Sequence, residues 1–428
     1  MGVLEQHIRA SVRRIAAEPH HALTALIETR VDEALAEAAQ ADAAADHRRL
    51  AGVTVAVKAC FDVAGWTTHA GSAVRRDDPP AQHDAAAVAA LRSHGAIVVG
   101  QANMTEFAYG ALGLNTTFGT PTTPLDPADE RVSGGSTSGG AVAVALGMAN
   151  VALGSDTSGS VRIPAAFCGV AGFKPSQGRY PDGGMLYLSP SFDVPGIIAP
   201  TAKACRRVDA ALTGRPVERR LPTLAGWNFA VPASFAVEGA DPEVAAAFAF
   251  WVDRLRAAGA VVTEMAVPTV ATAGTIAKDG GMIATEAFML HRHRLAVEAD
   301  RYDPRVGPRI ALGEHVPAHR YAAARFALRR AAAQFNADLA GIDAVLTPTV
   351  GILPPRIADL ADDAAYLAAN AEAFRLTEFA NRLDLPSISI AADLPERAPI
   401  GLLLTGRRGG DAALLDLAVA VEQRLATA

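Results

Sequence analysis

The sequence predicts an α/β protein: one large domain with a helical insertion. Three observations point there. A helix-then-strand unit, "DAAAVAALRSHGAIVVGQANM", breaks at Gly95 and runs on as the apolar stretch AIVVG. Short apolar runs rich in β-branched residues recur late in the chain, as "IDAVLTPTV", "PSISIAAD" and "APIGLLLTG". The 428 residues are 50% apolar and show no linker or repeat, enough to bury one large core.

Taken in order, residues 3–46 read as helices, dominated by Ala, Leu, Glu and Arg, with a break at Pro19. "LAGVTVAVKACFDVAG" reads as a strand pair because Val53, Val55 and Val57 alternate. Residues 113–133, rich in Thr, Pro and Asn, read as loop. A Gly/Ser loop then leads into a helix from Gly140 to Met148, the strand VALG, and a short helix from Pro164. Residues 172–200 are a Gly/Pro-rich stretch. "NFAVPAS" and "VVTEMAVP" read as strands flanking a helix over 242–258, and residues 280–340 as mostly helical and Arg-rich. "DAALLDLAVAVEQRLA" reads as a closing helix.

Composition excludes several classes of function. The net charge is −6 and no basic stripe stands out, which argues against nucleic acid or an anionic membrane as a direct ligand. The uncharged run from Ser133 to Ser155 has an apolar part of about fourteen residues, too short to span a bilayer. Cys60, Cys168 and Cys205 lie far apart, without CxxC or metal spacing, and fit a reducing cytoplasm. The N-terminal stretch is charged throughout, without a signal-peptide core. GxGxxG, Walker A, HExxH, GxSxG and SxxK patterns are all missing, so neither a metal nor a cofactor is expected.

What remains is two Gly/Ser loops, "SGGSTSGG" and "GSDTSGS", and one lysine in an apolar setting. Each loop leads into a helix. Successive glycines leave backbone N–H groups free to converge, and a helix N-terminus adds positive potential, which suits a bound anion or the oxyanion of acyl transfer. Of 39 basic residues only Lys58, Lys174, Lys203 and Lys278 are lysines. Lys58 sits in "VTVAVKACF", where burial would push its pKa toward neutrality, so a neutral amine could take a proton from a serine.

These residues carry a resemblance. "AGVTVAVKACFDVAG", "GQANMTEFAYG", "SGGSTSGG", "ALGSDTSGSVRIPAAFCGVAGFKPSQGR", "DAVLTPT" and "PIGLLLTG" together resemble the amidase signature family of serine hydrolases, from about Leu50 to Glu422. The resemblance implies that family's fold, a large mixed central sheet covered by helices on both faces. It implies a single domain over 1–428, with an N-terminal helical segment over 1–48 and a helical insertion over 275–335 that shapes the substrate pocket. It also implies a Ser–cis-Ser–Lys triad: Lys58 the base, Ser136 the bridging serine behind a cis Gly135–Ser136 bond, and Ser160 the nucleophile.

On the same footing, the N–H groups of Thr157, Ser158, Gly159 and Ser160 would form the oxyanion hole. Gly135 and an Asp156–Arg162 pair would brace the loops. Met104, Tyr109, Thr137 and Ser138 would border the substrate. The chain departs from the family pattern at several positions. Thr137 follows the bridging serine, Ser138 and Ser158 place a Cβ where glycine is usual and would narrow the site, and Ala59 stands where an acidic residue is common.

The implied activity is hydrolysis of a small carboxylic amide through a Ser acyl-enzyme, in the cytoplasm and without a cofactor. A homodimer is expected on base rates alone. Two alternatives stay open: the glutamine-hydrolysing subunit of a tRNA-dependent amidotransferase, and a non-catalytic relative that binds an amide or anion. Arginines in "HRHR" and "DPRVGPR" are open to either of two roles, carboxylate ligands or a solvated face.

Overall fold

In the computed structural model, residues 2–126, 128–216, 223–392 and 400–426 are described. Their strands are β1 (Leu26–Thr29), β2 (Thr54–Lys58), β3 (Ile97–Ala102), β4 (Val151–Asp156), β5 (Ala171–Lys174), β6 (Val194–Ala199), β7 (Asn228–Pro232), β8 (Val261–Met265), β9 (Ala344–Pro348), β10 (Ser387–Ala392) and β11 (Ile400–Thr405). They form a single 11-stranded sheet in the order β1-β3-β2-β4-β6-β5-β10-β11-β9-β7-β8. The sheet is mixed. β2 runs parallel to β3 and β4, β7 runs parallel to β8 and β9, and the central strands β6, β5, β10 and β11 pair antiparallel.

Both faces of the sheet are covered, and the strand pattern shows why. Successive side chains alternate between faces. Val55, Val57, Val151 and Leu153 face one core, with Val88, Leu91, Cys205, Trp251 and Leu415 of four covering helices. Ala56 and Ala152 face the other, with Ile8, Ala34, Ala38, Ala141 and Val142 of three more. Strands buried on both faces read as continuous apolar runs rather than as alternation. No helix among the described residues is long and apolar enough to cross a membrane.

The sequence-based elements differ from the structure in specific places. The stretch read as a strand pair holds one strand, β2; the residues after it turn away, and Phe61 makes an isolated bridge to Met185. The helical stretch over 3–46 contains the short edge strand β1, paired antiparallel with β3. The helix placed at 140–148 spans Ser138–Ala145, and the one placed from Pro164 starts at Arg162. The Gly/Pro-rich stretch 172–200 contributes most of β5 and all of β6. Their glycines are there for close approach: a Cβ at Gly172 would lie 2.6 Å from the Val161 carbonyl, and one at Gly196 would lie 2.8 Å from that of Phe173. The last residues of "PSISIAAD" and the first of "APIGLLLTG" lie outside the described residues.

The helical stretch over 280–340 comprises Met282–Glu298, Gly307–Ala311 and Ala318–Asp338, joined by short 3-10 turns. It docks on the segment after β3 through buried polar contacts. Glu106 accepts from Ser72 Oγ at 2.6 Å and from the Asp303 backbone N–H at 2.8 Å. The Phe107 ring meets His291 edge-on at 4.3 Å. To reach it, Phe107 adopts a left-handed backbone, with φ 47° and ψ 27°.

Burial pushes the Glu106 carboxyl up to about 7 from its ordinary 4.5. A raised folded pKa means that the folded chain holds a proton the unfolded chain has lost. The resulting stability is complete below about pH 4.5 and is lost as the pH rises through about 7. Glu106→Gln keeps an acceptor for the Asp303 N–H and cannot ionise. Relative to the parent, its unfolding free energy should improve by roughly 2 kcal/mol between pH 5 and pH 8. Denaturant melts at the two pH values measure this, and a gap that stays constant with pH refutes it.

Candidate active site

β2 and β4 are parallel neighbours, so their carboxyl ends lie on the same edge of the sheet. Lys58 is the last residue of β2 and Asp156 the last of β4. The register pairs Val57 with Leu153, which sets Lys58 level with Gly154, two residues before the end of β4. Its Nζ lies 2.7 Å from Ser136 Oγ, 2.8 Å from Ser155 Oγ and 3.2 Å from the Ser155 carbonyl. Lys58 is fully buried, and burial lowers its pKa, against weaker upward pulls from Cys60, Asp193 and Asp156.

Ser136 lies in the loop before the helix Ser138–Ala145, and the Gly135–Ser136 peptide is cis. Gly135 has no room for a side chain: a Cβ there would lie 2.7 Å from both the Gly113 nitrogen and Thr105 Oγ1. The serine loop is tied to its surroundings by backbone bonds. Thr105 N–H donates to the Ser136 carbonyl at 3.2 Å, and Thr137 N–H donates to the Ser160 carbonyl at 3.1 Å. That second bond joins the two Gly/Ser loops directly.

The second loop wraps around the carboxylate of Asp156. Oδ1 accepts from Gly159 N–H at 2.8 Å, and Oδ2 accepts from Val161 N–H at 3.1 Å. Arg162 adds two bonds, Nη2 to Oδ1 at 2.8 Å and Nε to Oδ2 at 3.0 Å, and both side chains are fully buried. Nη1 also donates to the Thr377 carbonyl at 2.8 Å, and Nη2 to Asn381 Oδ1 at 2.6 Å. Burial alone would raise the Asp156 pKa; the Arg162 guanidinium overrides it and holds the carboxyl well below the usual range.

Several expected placements need correction. Of the four N–H groups expected to form an oxyanion hole, that of Gly159 is committed to Asp156, and those of Thr157, Ser158 and Ser160 have no partner among the described residues. Ser160 Oγ is buried and likewise has no hydrogen-bond partner among them, so a Ser136–Ser160 hydroxyl contact is not made in this state. Thr137 is fully buried, and its methyl and hydroxyl pack on Gly140 and Gly154. Met104 is fully buried in the main core, its Cγ against Gly71.

Ser138 and Ser158 do not crowd the loops. Ser138 fits because Gly113 lies opposite its Cβ, and Ser158 Oγ accepts from Arg382 Nη2 at 2.8 Å. Ala59 takes part through its backbone, donating to Ala102. Tyr109 is half-buried under the Arg309 guanidinium, 4.2 Å from its ring centre. Of the four arginines of "HRHR" and "DPRVGPR", Arg294 pairs with Asp78 at 2.6 Å and Arg305 with Asp363 at 2.8 Å.

The structure also gathers here residues that sequence reasoning missed. Asp193 accepts from Thr157 Oγ1 at 2.6 Å and from the N–H groups of Leu188 and Ser189. Burial pushes its carboxyl up to about 6. Thr377, Asn381 and Arg382 come from the short helix Glu378–Arg382 and the residue before it. The "SFD" and "TEFANR" segments carried no signal beyond a polar residue among apolar ones.

Breaking the Asp156–Arg162 pair from one side leaves a buried, uncompensated charge, which costs about 3–5 kcal/mol. Asp156→Asn should lower the denaturation midpoint accordingly. The paired replacement Asp156→Leu with Arg162→Met should recover part of the loss. Equal midpoints for Asp156→Asn and the parent refute the bracing role.

The model of the protein family described as Amidase matches residues 6–415. A 2-amino-5-chloromuconic acid deaminase of Comamonas testosteroni is 35% identical over 380 residues, covering 87% of this chain and 81% of that protein. A glutamyl-tRNA(Gln) amidotransferase subunit of Koribacter versatilis is 33% identical over 457 residues, covering 97% and 93%. Among solved structures, one described as an amidase superposes with a TM-score of 0.87 at 29% identity, covering 99% of this chain and 96% of that one.

Proposed function

This chain belongs to the amidase family, and we propose that it hydrolyses the C–N bond of a small carboxylic amide through an acyl-enzyme on Ser160. The observation that carries this reading is the 2.7 Å approach of Lys58 Nζ to Ser136 Oγ in a fully buried setting. There burial lowers the lysine's pKa and favours its neutral, basic form. It accepts the Ser136 proton while Ser136 takes that of Ser160, whose Oγ is free to turn toward it. Apo sites often leave such bonds unmade until substrate arrives.

Ser160 then attacks the amide carbonyl, and the N–H groups of Thr157, Ser158 and Ser160 hold the oxyanion. Each such donor contributes about 3–4 kcal/mol. Ser136 returns a proton to the leaving amine as the C–N bond breaks. Water, deprotonated through the same pair, releases the acid. Lys174 is also fully buried, with its pKa pushed down to about 8 by burial and Arg162. Its Nζ donates to the Pro175 carbonyl at 2.7 Å and meets no serine hydroxyl, which favours Lys58 as the base.

A second reading, glutamine hydrolysis for a partner amidotransferase, is favoured by the match to the Koribacter protein. That match covers 93% of its length, so length does not separate the two readings. Ammonia release by the purified single chain does. The panel is glutamine, short aliphatic and aromatic amides, carboxylate-bearing amides, and 2-amino-5-chloromuconic acid for the Comamonas relative. Turnover of a simple amide that vanishes in Ser160→Ala supports a self-sufficient amidase. Turnover of glutamine alone supports the second reading, and turnover retained in Ser160→Ala overturns both.

Lys58→Ala should lose at least 10²-fold more kcat than Lys174→Ala, since the general base contributes about 10²–10⁴-fold. A larger loss in Lys174→Ala would show that the base is misassigned. Because only neutral Lys58 accepts a proton, kcat/KM should fall as the pH is lowered through its depressed pKa. The pH–rate profile checks that limb.

A further inference from the structure

We propose that Arg382 is a positioning residue for acyl transfer. Together with Thr377 and Asn381 it fixes the peptide planes of the oxyanion loop, and it acts jointly with Ser158. The inference rests on the amidase reading above.

Three consecutive carbonyls of the loop are each held by a side chain from this one segment. The Asp156 carbonyl accepts from Asn381 Nδ2 at 2.9 Å, the Thr157 carbonyl from Arg382 Nη1 at 3.0 Å, and the Ser158 carbonyl from Thr377 Oγ1 at 2.5 Å. A trans peptide is planar, with its C=O and the next N–H pointing in opposite directions. Pulling the carbonyls of residues 156 and 157 toward the 377–382 segment therefore turns the N–H groups of Thr157 and Ser158 away from it. Those are two of the three free donors of the loop. The third carbonyl faces an N–H already spoken for, because Gly159 N–H binds Asp156. The last plane is held from within the chain, the Gly159 carbonyl accepting from Ile163 N–H at 2.8 Å, so every plane between β4 and Ser160 is held.

Arg382 differs from its two neighbours in making two bonds to the loop. Nη1 takes the Thr157 carbonyl, and Nη2 takes Ser158 Oγ at 2.8 Å. The Ser158 hydroxyl is thereby explained: it is the second hold on the same residue. The guanidinium is itself fixed, lying 4.4 Å over the Phe192 ring and paired with Glu378 Oε2 at 3.1 Å. Its side chain is 3% exposed. Only a planar fork with several donors meets this geometry. A lysine ammonium could serve the carbonyl or the hydroxyl but not both in the same arrangement. Arg382 reaches no reacting atom, so its effect runs through where the N–H groups point. A small misplacement of such donors costs about 10²-fold in rate.

The test uses the full chain and the amide that it turns over fastest. Arg382→Leu should lower kcat about 10²-fold with KM changed less than threefold, and Arg382→Lys should lose about tenfold. Ser158→Ala should lose several-fold. The Arg382→Leu/Ser158→Ala double variant should be no worse than Arg382→Leu alone, since both remove the same hold. The affinity of a boronic acid that mimics the tetrahedral oxyanion should fall in parallel with kcat, and that of the product acid should not.

An unchanged kcat in Arg382→Lys and Ser158→Ala, or a loss confined to KM, overturns the proposal and leaves the amidase reading standing. Losses that multiply in the double variant overturn the joint role. If Arg382→Leu does not fold, Arg382→Lys and Ser158→Ala carry the test alone. A parent chain that hydrolyses no amide and is not labelled at Ser160 by a phosphonate overturns the amidase reading, and this proposal with it.

Discussion

The geometry of the site hangs on one buried carboxylate. Asp156 closes β4 and gathers onto itself two bonds from Arg162, two loop N–H groups and the Asn381 amide. An isolated charge at that depth would be prohibitive, and a buried ion pair is a weak source of net stability. Its use is directional. The strand ends at a fixed anion, and the following residues must curl around it to satisfy it. Ser160, the proposed nucleophile, therefore sits four residues past the strand end, on a turn tied down by these bonds.

Lys58 depends on the same arrangement. A buried lysine loses its charge more readily where the negative charge around it is compensated. Asp156 is compensated by Arg162 at 2.8 Å, and the Asp193 carboxyl, pushed up to about 6 by burial, is bound by a hydroxyl and two backbone N–H groups. Burial then outweighs what remains of their pull on the amine. The same parallel pairing of β2 and β4 that brings the lysine to the serines also takes it out of water. Position and reactivity share a single cause.

Several buried hydroxyls in this region make no hydrogen bond among the described residues. Thr105, Thr137, Ser138 and Ser160 all have buried hydroxyls with no partner among the described residues. Unmade bonds at buried hydroxyls carry a cost, and a native chain retains them where another group is to be met. Of these, Ser138 and Ser160 lie on the two Gly/Ser loops that also carry the free N–H groups of Thr157, Ser158 and Ser160, whereas Thr137 packs on Gly140 and Gly154.

The fold class, the closing helix and the late strands were legible in the chain itself; Lys58 stood out as a lysine in an apolar run, and Ser136 and Ser160 were named only through the family resemblance. Apolar runs, helix–strand alternation and a glycine-serine pattern are local properties, written in consecutive residues. β5 and β6 were not legible, because the glycines that let neighbouring backbones approach make a buried strand look like a loop. Nor were Asp193, Thr377, Asn381 and Arg382, which lie from 33 to 222 residues away from Ser160 along the chain. A single arginine or asparagine in an unremarkable helix carries no mark of what it will hold. Local sequence determined which groups could do chemistry. Only the tertiary structure decided which carbonyls they would clamp, which N–H groups would be left free, and that Gly159 would serve the carboxylate instead, because those outcomes depend on contacts between segments that the chain keeps far apart.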